Sequence, residues 1–144
     1  MEYTDSRWSK RSYWFYGFYR FYGLRYALYG LLYVAVGSSC NACIEDDARR
    51  AAMLRYTPEG GFVDAYATGL RNSAGFDWSP ATGVLYATEN GRDMLGDDFP
   101  PCELNAIVEG GFYGWPFANG ANVPDPDLGT GSPSAIDASI ARGP

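Results

Sequence analysis

Glu59-Gly60-Gly61-Phe62 recurs as Glu109-Gly110-Gly111-Phe112, and Leu31-Leu32-Tyr33 recurs as Val84-Leu85-Tyr86. The two copies keep the same order: an apolar run, a long polar stretch, a second apolar run, then the glycine pair. Repeats of 40 to 50 residues are the mark of propellers and solenoids, in which each copy is one supersecondary unit. The pattern predicts strands over Leu32–Val36 and Ala52–Tyr56 in the first copy, and over Leu85–Thr88 and Leu104–Val108 in the second. Turn chemistry agrees. Pro58-Glu59-Gly60-Gly61 separates Met53-Leu54-Arg55-Tyr56 from Phe62-Val63-Asp64-Ala65-Tyr66, and Pro80-Ala81-Thr82-Gly83 joins Gly75-Phe76-Asp77-Trp78 to Val84-Leu85-Tyr86-Ala87. The expected fold is all-β, built of propeller blades, about two to two and a half of them.

Composition supports short strands and tight turns, with 18 glycines, 9 prolines and 17% aromatic residues among 144. That length falls well short of the several sheets of a closed propeller. Two blades leave edge strands unpaired, so the expectation is a fragment of a larger ring or an assembly of copies. The net charge of −6 speaks against a nucleic-acid partner, which needs a clustered basic surface. Charge is uneven: residues 1–30 carry five basic and two acidic side chains, the remainder six basic and fifteen acidic.

The organisation reads as three parts. Residues 1–30 form an aromatic-rich biased segment, non-native or disordered, with the run Tyr13-Trp14-Phe15-Tyr16-Gly17-Phe18-Tyr19 at its centre. Residues 31–128 are the partial propeller, and 129–144 a Gly/Pro/Ser-rich tail. No apolar signal-peptide core is legible in Met1–Arg25. The uncharged stretch Tyr26–Ile44 breaks into Gly-Ser-Ser-Cys-Asn and does not read as a membrane helix, so the aromatic segment is the only part with a membrane-interface character. Cys40 and Cys43 form a C-x-x-C pair. With no histidine in the chain and only Cys102 left over, a four-ligand zinc site is excluded, and a local disulfide or two inert thiols are expected.

Four further motifs stand in order: Gly69-Leu70-Arg71-Asn72-Ser73-Ala74-Gly75-Phe76, Glu89-Asn90-Gly91-Arg92-Asp93, Pro100-Pro101-Cys102-Glu103-Leu104-Asn105 and Gly110-Gly111-Phe112-Tyr113-Gly114-Trp115-Pro116. Together with Val36-Gly37-Ser38-Ser39-Cys40-Asn41 ahead of them, they resemble the soluble quinoprotein glucose and sorbosone dehydrogenases. The resemblance covers Leu31 to about Leu128. It implies a six-bladed propeller, periplasmic or secreted, that binds pyrroloquinoline quinone and calcium and oxidises a sugar or aldose substrate.

By that resemblance Arg71 and Asn72 bind the cofactor. A planar guanidinium suits its carboxylates, and an amide offers a donor and an acceptor beside a quinone oxygen. Gly91 and Arg92 match positions whose backbone carbonyls bind the cofactor's calcium, while Glu103 and the carbonyl of Tyr113 match a second calcium position. Cys102 replaces a hard oxygen usually found before that glutamate; Asp93, Asp97 and Asp98 lie in the same loop and could compensate. Trp115 reads as structural, a buried ring beside a proline turn. The family's proton-accepting base is a histidine one strand upstream of the Leu32 strand. This chain has none, and Tyr19 falls near that position. No catalytic residue is assigned, and turnover by this chain alone is not expected. The competing reading is a non-catalytic propeller-like module that binds a protein or a glycan.

Overall fold

The computed structural model describes residues 21–26 and 30–129. Most of the aromatic segment, Tyr19 included, and the tail after Gly129 lie outside the described residues. Among the described residues the architecture is all-β with several antiparallel sheets and no closed barrel, as expected for part of a propeller. The first sheet holds β1 (Phe21–Tyr26), β2 (Leu32–Val36), β3 (Ala52–Tyr56) and β4 (Phe62–Thr68) as an antiparallel meander. The second holds β5 (Gly75–Trp78), β6 (Leu85–Glu89) and β7 (Glu103–Ile107). After β8 (Gly111–Phe112), β9 (Ala118–Asn119) and β10 (Val123–Pro124) close a small hairpin.

The glycine turns do what their sequences require. Thr57 N–H donates to Gly61 O at 2.8 Å, and Gly60 takes φ +88° at the tip of the β3–β4 hairpin. The β5–β6 turn is closed by Ser79 N–H to Val84 O at 2.8 Å. The first sheet contributes Tyr33, Ala35, Met53 and Ala67 to the core; the second contributes Phe76, Leu85, Ala87 and Ile107, and one apolar layer joins them. Tyr33 meets Tyr66 and Trp78 edge-on at 5.1 Å each, locking the inter-sheet seam.

The repeat diverges at its end. In the first copy Glu-Gly-Gly-Phe opens β4, which returns beside β3. In the second copy β8 instead runs parallel to β4, through Gly110 N–H to Tyr66 O at 2.8 Å, Tyr113 N–H to Thr68 O at 2.9 Å and Trp115 N–H to Gly69 O at 3.1 Å. Tyr113 explains the departure. Its phenol donates to Ala106 O at 2.6 Å and accepts from Val108 N–H at 2.9 Å, so it holds the end of β7 while its backbone docks on β4. The motif glutamates part company too: Glu59 is exposed, whereas Glu109 joins Asp64 on the Arg55 guanidinium, which stacks 4.9 Å from the centre of the Tyr66 ring.

β7 has no strand on its outer side among the described residues. An open groove of about 280 Å³ runs there, lined by Pro101, Leu104, Ala106, Gly120 and Ala121, with Leu104 69% exposed. Such an edge is a template for strand pairing. Leu104→Lys is therefore expected to reduce concentration-dependent association in sedimentation velocity; equal association of both proteins would show that this edge is not the contact.

Candidate functional site

Three connections meet at one rim. β2 and β4 both run toward it, since each is antiparallel to β3, and β6 returns to it from β5. The rim therefore collects residues 37–51, 69–74 and 90–102. Backbone hydrogen bonds stitch them together: Ser38 N–H to Arg71 O at 2.7 Å, Leu70 N–H to Ala51 O at 2.9 Å and Asn90 N–H to Asn72 O at 3.1 Å. Gly69 is needed for close approach. At φ +71°, a Cβ there would lie 2.8 Å from the Phe112 ring and 2.9 Å from Gly114 N.

Arg71 is the centre of the rim and is buried. Its Nε donates to Asn41 O at 3.1 Å, and one terminal nitrogen donates to Gly91 O at 2.7 Å and Asn90 O at 3.4 Å. The other terminal nitrogen donates to Asn41 Oδ1 at 3.0 Å and Asp93 Oδ2 at 3.2 Å. Every N–H of the guanidinium thus has an acceptor. Asp93, 79% exposed, is the most readily displaced of them.

Asn72 is beside Arg71 as the motif demands. Its Oδ1 is buried and has no hydrogen-bond partner among the described residues. Its backbone N–H donates to Glu89 Oε1 at 2.6 Å, and Ser73 Oγ donates to Glu89 Oε2 at 2.9 Å. Burial pushes the Glu89 carboxyl up to about 7, against the lowering effect of those two bonds. The charge of Glu103, opposite Glu89 in the β6–β7 register, adds to the rise.

The structure thus brings Arg71, Asn72 and Gly91 together. Gly91 packs tightly, since a Cβ would meet Pro100 Cγ at 2.7 Å, and its carbonyl points at Arg71. The Arg92 side chain leaves in another direction: one terminal nitrogen makes bonds of 2.8 and 2.7 Å to the two oxygens of Asp125, and the other reaches Asp127 at 3.0 Å. Glu103 sits on β7 and accepts from Asn105 Nδ2 at 3.0 Å, while Tyr113 is buried just after β8, its backbone N–H donating to Thr68 O at 2.9 Å. Trp115 is buried, as its proline turn suggested, and its indole N–H donates to Asn41 O at 3.3 Å. Cys40 and Cys43 are joined in a disulfide, and Cys102 is a free, exposed thiol. The disulfide lies near Glu45, whose carboxylate instead accepts from Ser39 N–H and Ser39 Oγ, so the group has the ordinary bonds of a turn.

Sequence reasoning missed three residues of this centre. Asn41 sat inside a motif whose cysteines drew the attention. Glu89 opened a motif read for its glycine, and Asp125 lay in a Pro-Asp-Pro-Asp run near the end of the predicted propeller segment, where no role was assigned to it.

Similarity to known proteins agrees with this architecture. An uncharacterized protein of Borreliella burgdorferi is 37% identical over 92 residues, covering 63% of this chain and 24% of that protein. An oxidoreductase (glucose dehydrogenase) of Thermus thermophilus is 31% identical with a TM-score of 0.58, covering 72% of this chain and 35% of that one. The calcium structure of a Trichoderma reesei carbohydrate-active enzyme of family AA12 is 25% identical with a TM-score of 0.54, covering 74% of this chain and 34% of that one. The chain therefore spans between a quarter and about a third of the length of these relatives. Residues 42–135 match the Glucose / Sorbosone dehydrogenase family, and the chain belongs to that family.

Proposed function

We propose that this chain is part of a pyrroloquinoline quinone-dependent sugar or aldose dehydrogenase and contributes a portion of its cofactor and calcium site. The observation that carries the reading is the convergence of Arg71, Asn72 and Gly91 on one rim, with the Asn72 Oδ1 acceptor buried there and without a hydrogen-bond partner among the described residues. A buried amide oxygen without a donor costs free energy and fits a site shaped for an incoming hydrogen-bonding group. The relatives named as a glucose dehydrogenase and as a calcium structure support the substrate and ion classes.

The donor set fits in part. Arg71 and Asn72 would hold the cofactor, but a carboxylate reaches the guanidinium only by displacing Asp93. The carbonyls of Gly91 and Arg92 would face calcium, yet the Gly91 oxygen already accepts from Arg71, so a cation there must share that carbonyl with a guanidinium. Glu103 and the Tyr113 carbonyl are the proposed second calcium position. When bound, the quinone supplies the two-electron acceptor for oxidation of a sugar C–H. This chain's own residues bind and orient; with no histidine among its 144 residues, it supplies no histidine base, and turnover by this chain alone is not expected. The Cys40–Cys43 disulfide agrees with a periplasmic or secreted location. No helix among the described residues is long and apolar enough to cross a membrane.

Mixing the chain with pyrroloquinoline quinone and calcium should shift the quinone absorption spectrum and raise the melting temperature. Both effects should vanish in Arg71→Ala and on chelation. No spectral or thermal change at high micromolar quinone would overturn the reading.

A further inference from the structure

We infer that Asn41 is the positioning residue that presets the Arg71 guanidinium, and that the Cys40–Cys43 disulfide holds Asn41 in place to do so. The functional meaning of this inference rests on Arg71 being the cofactor-gripping residue; the geometry stands apart from it.

Asn41 addresses one whole edge of the guanidinium. Its backbone oxygen takes Nε and its side-chain oxygen takes a terminal nitrogen, at 3.1 and 3.0 Å, leaving the opposite nitrogen to the carbonyls of Gly91 and Asn90. The same amide clamps the second repeat's loop, accepting from Asp93 N–H at 2.7 Å and donating to Asp93 O at 3.0 Å. Its backbone oxygen also accepts from the Trp115 indole at 3.3 Å. One residue thus joins the β2–β3 connection, Arg71, the β6–β7 connection and the strand end after β8.

Asn41 sits in a connection without helix or strand, from the end of β2 at Val36 to the start of β3 at Ala52. Such a connection has many conformations to lose. The disulfide closes a loop around Asn41 with Cα atoms 6.1 Å apart, and Ser38 Oγ bonds Cys40 O at 2.7 Å on its flank. Crosslinking two residues on either side of Asn41 removes freedom from the position where order matters. An arginine carries much rotamer entropy, so a partner fixed in advance lowers the cost of presenting its fork.

The test uses the 144-residue chain labelled with ¹⁵N and follows hydrogen exchange of the Arg71 terminal guanidinium N–H signal whose acceptor is Asn41 Oδ1, identified by its loss in Arg71→Lys. Asn41→Ala, which keeps the disulfide, should accelerate that exchange by at least about tenfold, the scale of one lost charge-assisted hydrogen bond. Asn41→Asp keeps both oxygens and should leave it slow. Reduction with a dithiol, which delivers two electrons and two protons to the S–S bond and is itself oxidised to a disulfide, should accelerate it as Asn41→Ala does, while the Leu54 amide in β3 stays protected. Unchanged exchange in Asn41→Ala would overturn the role of Asn41. Unchanged exchange on reduction, or loss of Leu54 protection along with it, would overturn the specific role of the disulfide. If these results appear in a chain that ignores the quinone, the positioning stands and the cofactor reading falls. If the quinone binds but Arg71 exchange ignores Asn41, the reverse holds.

Discussion

Asp125→Ala is expected to lower the unfolding free energy by about 3–5 kcal/mol, the range for removing one member of a buried ion pair. Asp125 is 2% exposed and the Arg92 side chain 9% exposed, so the guanidinium would be left in the interior opposite a void. Asp125 also accepts from Asn119 Nδ2 at 3.0 Å, Asp127 N–H at 3.0 Å and Leu128 N–H at 3.1 Å, and these donors would lose their acceptor together. Arg92 has little slack to absorb the change, because its Nε is already buried without a partner among the described residues. Urea unfolding at neutral pH would show the loss as a lower midpoint at unchanged slope. In the Arg92→Ala/Asp125→Ala double variant the loss should be well below the sum of the singles, since neither charge is then stranded. A loss under about 1 kcal/mol for Asp125→Ala would mean that water reaches Arg92 readily, contrary to this packing.

The same residue shows where sequence reading stops. β2, β3 and β5 fall on the residues expected of them, because an apolar run bounded by glycine or proline turns has one comfortable strand register. β7 begins at Glu103 rather than Leu104, a shift fixed by pairing Glu103 with Glu89 rather than by any local preference. β8 was harder. Its Glu-Gly-Gly-Phe repeat promises a copy of β4, but the Tyr113 phenol captures the end of β7, and Gly110 and Gly114 at φ +73° and +99° cut the strand to two residues. That Arg71, Asn72 and Gly91 lie in neighbouring connections was legible because their motifs kept their order. Asn41 and Asp125 were not, for their meaning lies in partners 30 and 33 positions away, reached only when the sheets pack.

Glu89 predicts a second large effect, of opposite pH sense to Asp125. Burial first, and the charge of Glu103 with it, raise its carboxyl from the ordinary 4.5 to about 7. Between those values the folded chain holds a proton that the unfolded chain has released. Stability then falls as pH rises through the window and levels off above it, by about 3 kcal/mol at roughly 1.4 kcal/mol per pH unit. For Asp125 burial raises the carboxyl, but the bonds from Arg92, Asn119 and two backbone amides outweigh it and hold it below 3.8, so that contribution is lost only as pH falls below that value. The windows do not overlap, so the two effects can be read separately. Glu89→Gln cannot ionise. Measured in chelator by urea unfolding, the stability of this variant relative to the native chain should rise by about 2.5 kcal/mol between pH 5 and pH 8; a difference flat to within about 0.5 kcal/mol would refute the assignment. Ser73 refines the test, because its hydroxyl donates to the ionised carboxylate and can turn to accept from the protonated one. Ser73→Ala removes a bond that favours the charged form, so it should push the upper limit of the window above 7, never below it.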